Sequence, residues 1–121
     1  MAQIVAVLGA SHKPERYSNK AVRMLKEHGH SVIPVTPGRS VIEDLPVVPS
    51  LDAIDRKVDT LTLYVGPERS AQLQDSILEL KPGRVILNPG TESATLEQAL
   101  TDAGIPWEHA CTLVMLRTGQ F

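Results

Sequence analysis

A repeated alternation constrains this chain more than any other feature. Short aliphatic runs stop at glycine or proline, and helix-length stretches of mixed polarity lie between them. The first run, Ile4-Val5-Ala6-Val7-Leu8, is continuously apolar and stops at Gly9. Such a run reads as a central strand buried on both faces of a parallel sheet. Ser31 to Thr36 reads as a second strand, stopped by Pro37-Gly38. Thr60-Leu61-Thr62-Leu63-Tyr64-Val65 is β-prone and reads as a third, and Val85-Ile86-Leu87 as a fourth that stops at Asn88-Pro89-Gly90. Ile105 to Glu108 is expected as a fifth, Val47-Val48 as a short strand or loop, and Leu113–Leu116 as a strand or a turn of helix.

The intervening stretches carry helix signals. Ser18 or Asn19 is placed to cap the first helix, whose inner face is Ala21, Val22, Leu25 and Met24, and His28-Gly29 ends it. Ser50 is placed to cap a short helix over Leu51–Ile54. Pro67 opens the next, with Leu73, Ile77 and Leu80 at helical spacing and Pro82-Gly83 behind. Thr91 is placed to cap a further helix with Leu96, Leu100 and Ala103 inward and Gly104 after it. Strands alternating with helices predict βαβ units with right-handed crossovers. The expected fold is therefore a Rossmann-like three-layer α/β sandwich on a mainly parallel five-stranded sheet, one domain over residues 1–121.

Composition supports that reading and excludes others. Apolar residues make up 42% of the chain but aromatic ones only 3%, so the core has to be aliphatic. A formal charge of −2 argues against a nucleic-acid surface. No apolar run approaches the ~20 residues of a membrane span, and Met1-Ala2-Gln3 lacks the basic start of a signal peptide. Cys111 is the one cysteine, so no intrachain disulfide forms, and a cytoplasmic setting is expected.

Open parallel sheets bind ligands beyond the carboxyl ends of their strands, where the strand order reverses. Four loops are candidates: Gly9–Tyr17, Thr36–Ser40, Gly66-Pro67 and Asn88–Thr91. In the first, Gly9 and Ala10 are small enough for a ligand to approach the backbone, Ser11 offers a hydroxyl, and Lys13 and Arg16 offer charge. The helix that follows adds unpaired N–H groups and the positive end of its dipole. Together these can hold a pyrophosphate. Tyr17 either covers the ligand or covers the helix start, and Asn19 closes the same stretch.

The dinucleotide fingerprint G-x-G-x-x-G is absent, since only Gly9 is glycine. The second strand ends in Val35-Thr36-Pro37-Gly38-Arg39, with no acid for a ribose diol. Arg39 is suited instead to a phosphate ester on the ribose. NADP carries one at the 2′ position and coenzyme A at the 3′ position; the residues alone leave both open.

Other chemistry finds little support. His28 and His30 are two apart and lack metal-ligand spacing, and no metal site is expected. His28 at a helix end fits a stabilising cation. No orienting carboxylate is evident for His12 as a general base. His109 and Cys111 would share a face of a strand and so invite a Cys–His nucleophile, but a lone cysteine more often packs as a small apolar residue. Trp107 is expected at a strand edge.

The chain resembles the small single-domain CoA-binding proteins, whose fold is also that of the CoA-binding domain of the succinyl-CoA synthetase alpha chain. The resemblance rests on Gly9-Ala10-Ser11, Arg16-Tyr17-Ser18-Asn19-Lys20, Gly29-His30-Ser31-Val32-Ile33-Pro34-Val35, Pro49-Ser50-Leu51, Val58-Asp59, Val65-Gly66-Pro67-Glu68, Asn88-Pro89-Gly90-Thr91 and Cys111. It implies that Ser11, His12, Lys13 and Pro14 line a phosphate loop, and that Val65, Gly66 and Pro67 flank adenine or pantetheine. Val35-Thr36-Pro37-Gly38-Arg39 looks like the synthetase loop Val-Thr-Pro-Gly-Lys, with Arg39 in the place of the basic residue that contacts CoA. Many of the small proteins carry Asn-Pro at Thr36-Pro37, so this chain is nearer the synthetase pattern. Gly90 belongs to the matching loop after the fourth strand.

The synthetase passes phosphate through a histidine in a second domain, so its full activity is not implied here. The expected function is binding of coenzyme A or an acyl-CoA by a non-catalytic carrier, sensor or regulatory module. The alternatives are a small NADP-dependent reductase and a CoA-binding subunit of a larger acyl-CoA synthetase. Leu113-Val114-Met115-Leu116 is either the last buried element or a contact for a protein partner or a second copy.

Overall fold

The computed structural model describes residues 2–121. Strands are β1 (Ile4–Leu8), β2 (Ser31–Val35), β3 (Val41–Ile42), β4 (Leu45–Pro46), β5 (Thr60–Leu63), β6 (Arg84–Leu87) and β7 (Trp107–His109). Helices are α1 (Tyr17–Glu27), α2 (Pro67–Gln72), α3 (Gln74–Leu80), α4 (Ala94–Asp102) and α5 (Thr112–Arg117), with a 3-10 turn at Leu51–Ala53. Five strands form one parallel sheet in the order β2-β1-β5-β6-β7. The expected Rossmann-like α/β sandwich is therefore the fold. Trp107 stands on the edge strand, as expected.

The apolar runs explain the layers. Alternate β1 side chains enter two cores. Ala6 and Leu8 pack with Leu51, Ile77, Leu96 and Leu100, while Val5 and Val7 pack with Val22, Leu25 and Leu116. The leftward step from β1 to β2 carries α1 on one face. The rightward steps carry the 3-10 turn, α2, α3 and α4 on the other, as one common crossover hand requires. Register aligns Val35, Leu8, Leu63, Leu87 and His109 in a single row across the sheet. Every loop of interest leaves from that row.

Several local expectations need correction. Arg16, not Ser18 or Asn19, is the N-cap of α1; both of those residues are buried inside the first turn. Ser93, not Thr91, caps α4: its Oγ accepts from Leu96 N at 3.2 Å, and Glu97 accepts from Ser93 N at 2.9 Å. Thr91 instead donates to Asn88 O at 2.8 Å. Ala103 is exposed rather than inward. Ser50 precedes only a 3-10 turn and makes no side-chain cap bond. The single helix expected after Pro67 is two, because Leu73 N bonds Arg69 O and Ser70 O together and tightens the turn there. Val48 makes an isolated bridge to Val35, and the unexpected β3–β4 hairpin lies just before it. Leu113–Leu116 lies in helix α5, with Leu113, Met115 and Leu116 buried. His28 caps α1 at its end and its Nδ1 meets Met24 O at 2.8 Å, as a helix-end histidine should.

Two constraints hold the carboxyl row together. Gly9 has φ +87, and a Cβ there would lie 2.8 Å from Val65 Cγ1 and 2.9 Å from Tyr64 O. The loops after β1 and β5 thus touch at a point that only glycine fits. Beside it, Asn88 Nδ2 donates to Thr62 Oγ1 at 2.6 Å and to Leu63 O at 2.8 Å, while Asn88 Oδ1 accepts from Thr112 N at 2.9 Å. The N-cap of α5, Cys111, makes no cap bond of its own, so the Asn88 amide caps that helix from the sheet. Thr62 and Thr112 hydroxyls complete the network at 2.8 Å.

Gly9→Ala is expected to cost about 2 kcal/mol or more, from the left-handed backbone and the overlap together. Asn88→Ala is expected to cost roughly 2–4 kcal/mol, because it strands a buried hydroxyl, a carbonyl and a helix N–H. Urea unfolding checks both: midpoints should fall with unchanged slope.

Candidate functional site

Strand order reverses between β1 and β5, so the crevice beyond their carboxyl ends is where this topology takes a ligand. A cavity of about 540 Å³ lies there. Leu8, Gly9 and Val35 line it with Thr36 and Pro37 from the β2 loop, and Val65, Gly66 and Arg69 from the β5 loop and α2. A groove of about 590 Å³ runs along the outer edge of β2, between Lys26, Leu45 and Arg56. It is slightly larger, but it touches none of the four loops at the carboxyl edge, so the switch-point crevice is the candidate site.

The β1 loop is built from behind. Gly9 N and Ala10 N both donate to Val35 O, at 3.0 and 3.3 Å. Ser11 Oγ accepts from Lys13 N at 3.1 Å, and Arg16 N donates to Lys13 O at 3.1 Å, closing a turn. Asn19 is fully buried; its Nδ2 donates to Ser11 O at 2.9 Å and to Glu43 Oε2 at 3.2 Å. Arg23 donates to Asn19 Oδ1 and to Pro14 O, each at 2.8 Å. His12, Lys13, Pro14 and Arg16 are thereby left exposed on the outer side, and no side chain caps the α1 N-terminus.

The β1 and β2 loops meet through one contact. Arg39 Nη2 lies 3.1 Å from His12 Nε2. Guanidinium only donates, so His12 accepts at Nε2 and carries its proton on Nδ1. These two loops carry Lys13, Arg16 and Arg39 and one acidic residue, Glu15.

The other end of the row is different. A second cavity, of about 260 Å³, is bounded by Tyr17, Tyr64, Asn88, Pro89, Cys111 and Leu113. Tyr17 is 69% exposed at its mouth, with Lys20 Nζ 5.3 Å from its ring centre. The Tyr64 hydroxyl is buried beside Thr62 and Thr112, but those hydroxyls point at each other, and it bonds none of the described residues. Burial pushes the Tyr64 phenol up to about 12, although the two threonines pull the other way. Cys111 is half-buried, not fully buried as a core residue would be. His109 Nε2 lies 2.8 Å from Glu97 Oε2. Burial raises the Glu97 carboxyl, but the bonds from His109 and Ser93 N outweigh it and hold it below its ordinary value. His109 is thus engaged with Glu97 on α4, and Cys111 lies past the end of β7, so the shared strand face assumed for a Cys–His pair does not form.

Of the residues singled out by sequence, Gly9, Thr36, Pro37, Val65 and Gly66 line the crevice. Ser11, His12, Lys13, Pro14, Arg16, Pro67 and Arg39 stand on the loops around it. Ala10 is 5% exposed with its N–H spent, and Asn19 serves the loop from within. Gly90 turns the β6 loop at φ +91, with its N–H on Glu92 Oε1 at 3.0 Å. Sequence reasoning missed Arg69, Tyr64 and Arg23. Arg69 had a legible signal, two residues after Pro67 on the first turn of α2. Arg23 had one too, at i+4 from Asn19 on the same helix face.

A family model described as a CoA binding domain matches residues 3–117. A crystal structure of an uncharacterized protein is 40% identical with TM-score 0.92, covering 100% of this chain and 99% of that one. A Thermus thermophilus structure is 32% identical with TM-score 0.91, covering 99% and 91%. The Bacillus subtilis protein YneT is 28% identical over 75 residues, 62% of this chain and 56% of that protein. The dinucleotide-forming acetyl-coenzyme A synthetase of Ca. Korarchaeum cryptofilum shares the fold at TM-score 0.73 and 20% identity, over 87% of this chain and 25% of its own. The chain belongs to the CoA-binding domain family.

Proposed function

We propose that this chain binds coenzyme A or an acyl-CoA across the carboxyl edge of its sheet and works as a carrier, sensor or regulatory module. The observation that carries the reading is the His12–Arg39 contact at 3.1 Å, which joins the β1 and β2 loops, both of which also line the switch-point crevice. It joins the Arg39 guanidinium to the loop that also carries Lys13, Arg16 and the start of α1, which no side chain caps. A pyrophosphate on the β1 loop and a ribose phosphate on Arg39 suit that arrangement. Membership of the CoA-binding domain family favours coenzyme A over NADP as the phosphorylated adenosine.

A binding role is favoured because several polar side chains at or near the carboxyl edge are already paired with one another. Asn88, Thr62 and Thr112 bond one another, His109 bonds Glu97, and His12 bonds Arg39. A cytoplasmic setting suits a chain whose one cysteine is free. No helix among the described residues is long and apolar enough to cross a membrane.

Ligand-dependent thermal unfolding tests the reading. Coenzyme A at about 100 times its Kd should stabilise the chain by about 2.7 kcal/mol, a shift of several degrees. NADP should not. Arg39→Ala should weaken coenzyme A about tenfold or more, through loss of a charge-assisted bond, and weaken dephospho-CoA far less. Equal losses for both ligands would remove Arg39 from the 3′-phosphate, and a shift with NADP alone would replace coenzyme A by NADP.

A further inference from the structure

Gly66 is a glycine that the protein itself does not require. It precedes α2 as its N-cap, with φ −70 and ψ 171, a backbone conformation open to any residue. A Cβ built on it meets no protein atom within 4 Å. Serine, threonine or aspartate there could cap α2 through a side-chain oxygen, and glycine forgoes that bond. Gly9 is the contrast, because its φ of +87 and the 2.8 Å approach to Val65 account for it within the fold. What Gly66 borders is the switch-point crevice.

Arg69 lines the same crevice from the first turn of α2, and it is the one charged residue among those that line it. The ion pairs among the described residues join Arg84 to Glu108 and His109 to Glu97, so no carboxylate holds Arg69. Thr36 and Ser50 add two hydroxyl side chains to the lining, and Ser50 makes no cap bond. The other walls are mostly aliphatic or proline. A lone cation with hydroxyls beside it is a donor set that lacks an acceptor. A phosphate ester fits it, since a guanidinium can take two phosphate oxygens at once.

We propose that Gly66 and Arg69 form a phosphate subsite within the crevice, where Arg69 takes the ribose phosphate of coenzyme A and the missing Cβ of Gly66 leaves room for the ribose that carries it. The inference rests on the coenzyme A reading and deepens it, because it adds a second cation, from the β5 side, to Arg39 on the β2 loop. It also gives the glycine a cause that lies in the ligand rather than in the fold.

Calorimetric titration with coenzyme A and dephospho-CoA, alongside urea unfolding, tests both residues. Arg69→Gln should weaken coenzyme A about tenfold or more and leave dephospho-CoA about unchanged. Arg69→Lys, which keeps the charge but not the fork, should fall between Arg69→Gln and the native chain. Gly66→Thr should unfold at the same urea midpoint as the native chain or a higher one, yet bind both ligands about tenfold more weakly or worse, because its side chain fills space that the ribose needs. Equal losses for both ligands in Arg69→Gln, or no loss in either, would take the phosphate away from Arg69. Native-like binding by Gly66→Thr would mean that no ligand uses the space, and a fall in its urea midpoint would mean that the fold needs the glycine after all. Each of these results overturns the subsite and leaves the coenzyme A reading standing. If the native chain binds neither ligand, that reading falls and takes this inference with it.

Discussion

Everything at the working edge of this molecule depends on the approach of Gly9 to Tyr64 and Val65. The central strand has to hand its chain to α1 at the place where the β5 loop crosses, and there is no room for a Cβ. Because the Tyr64 backbone as well as the Val65 side chain closes on Gly9, the contact sets the height of both loops over the sheet. Gly9 N and Ala10 N then reach sideways to Val35 O, which ties the β2 loop to the same point. Three loops from three neighbouring strands are thereby fixed relative to one another before any side chain is considered. A switch-point crevice follows from topology, but its floor is rigid only because of this contact.

The division of labour along the edge has a physical cause as well. Buried polar groups are tolerated only when they are paired. On the β5–β6 side the polar groups pair inward, with Asn88 closing both the sheet end and the start of α5. That leaves a mostly apolar lining on the cavity there. On the β1–β2 side the pairing runs the other way. Asn19 and Arg23 satisfy the loop carbonyls from behind, and the remaining charges stay in water. Exposed cations such as Lys13 and Arg16 lose little by standing in water. The Tyr64 phenol is the one buried hydroxyl at the edge without a geometric partner among the described residues, and its high pKa keeps it neutral.

β1, β5 and β6 were legible because burial on both faces leaves a β-prone run with few charges, whereas the fifth strand, expected over Ile105 to Glu108, is β7 at Trp107–His109, an edge strand with Glu108 and His109 exposed. Helix starts were less so. Ser18, Asn19 and Thr91 are each good capping types, but capping depends on a φ/ψ change one cannot see in composition, and Ser93 with Glu97 made the better reciprocal pair. The β3–β4 hairpin was invisible for a sharper reason. Its turn places Glu43 at φ 50 and Asp44 at φ 64, a conformation usually announced by Asn-Gly or Asp-Gly. Here Lys26 Nζ holds Glu43 O at 2.7 Å and Asn19 holds its carboxylate, so tertiary bonds sustain a turn that local propensity would not.

The same distinction separates what could be read of the site from what could not. Residues that act by being small, charged or at a strand end are recognisable one at a time, and Gly9, Lys13, Arg16 and Arg39 are of that kind. Residues that act through a partner far along the chain are not. Asn88 draws its meaning from Thr62 and Thr112, which lie 26 and 24 positions away. His12 draws its meaning from Arg39, 27 positions on. In each case the sequence contains both partners but not the register that joins them, and that register is set by the parallel pairing of β1 with β2 and of β5 with β6. A parallel sheet brings the ends of distant strands into one row. Its binding edge is therefore assembled from short-range features that are legible singly, and from long-range pairings that only the sheet supplies.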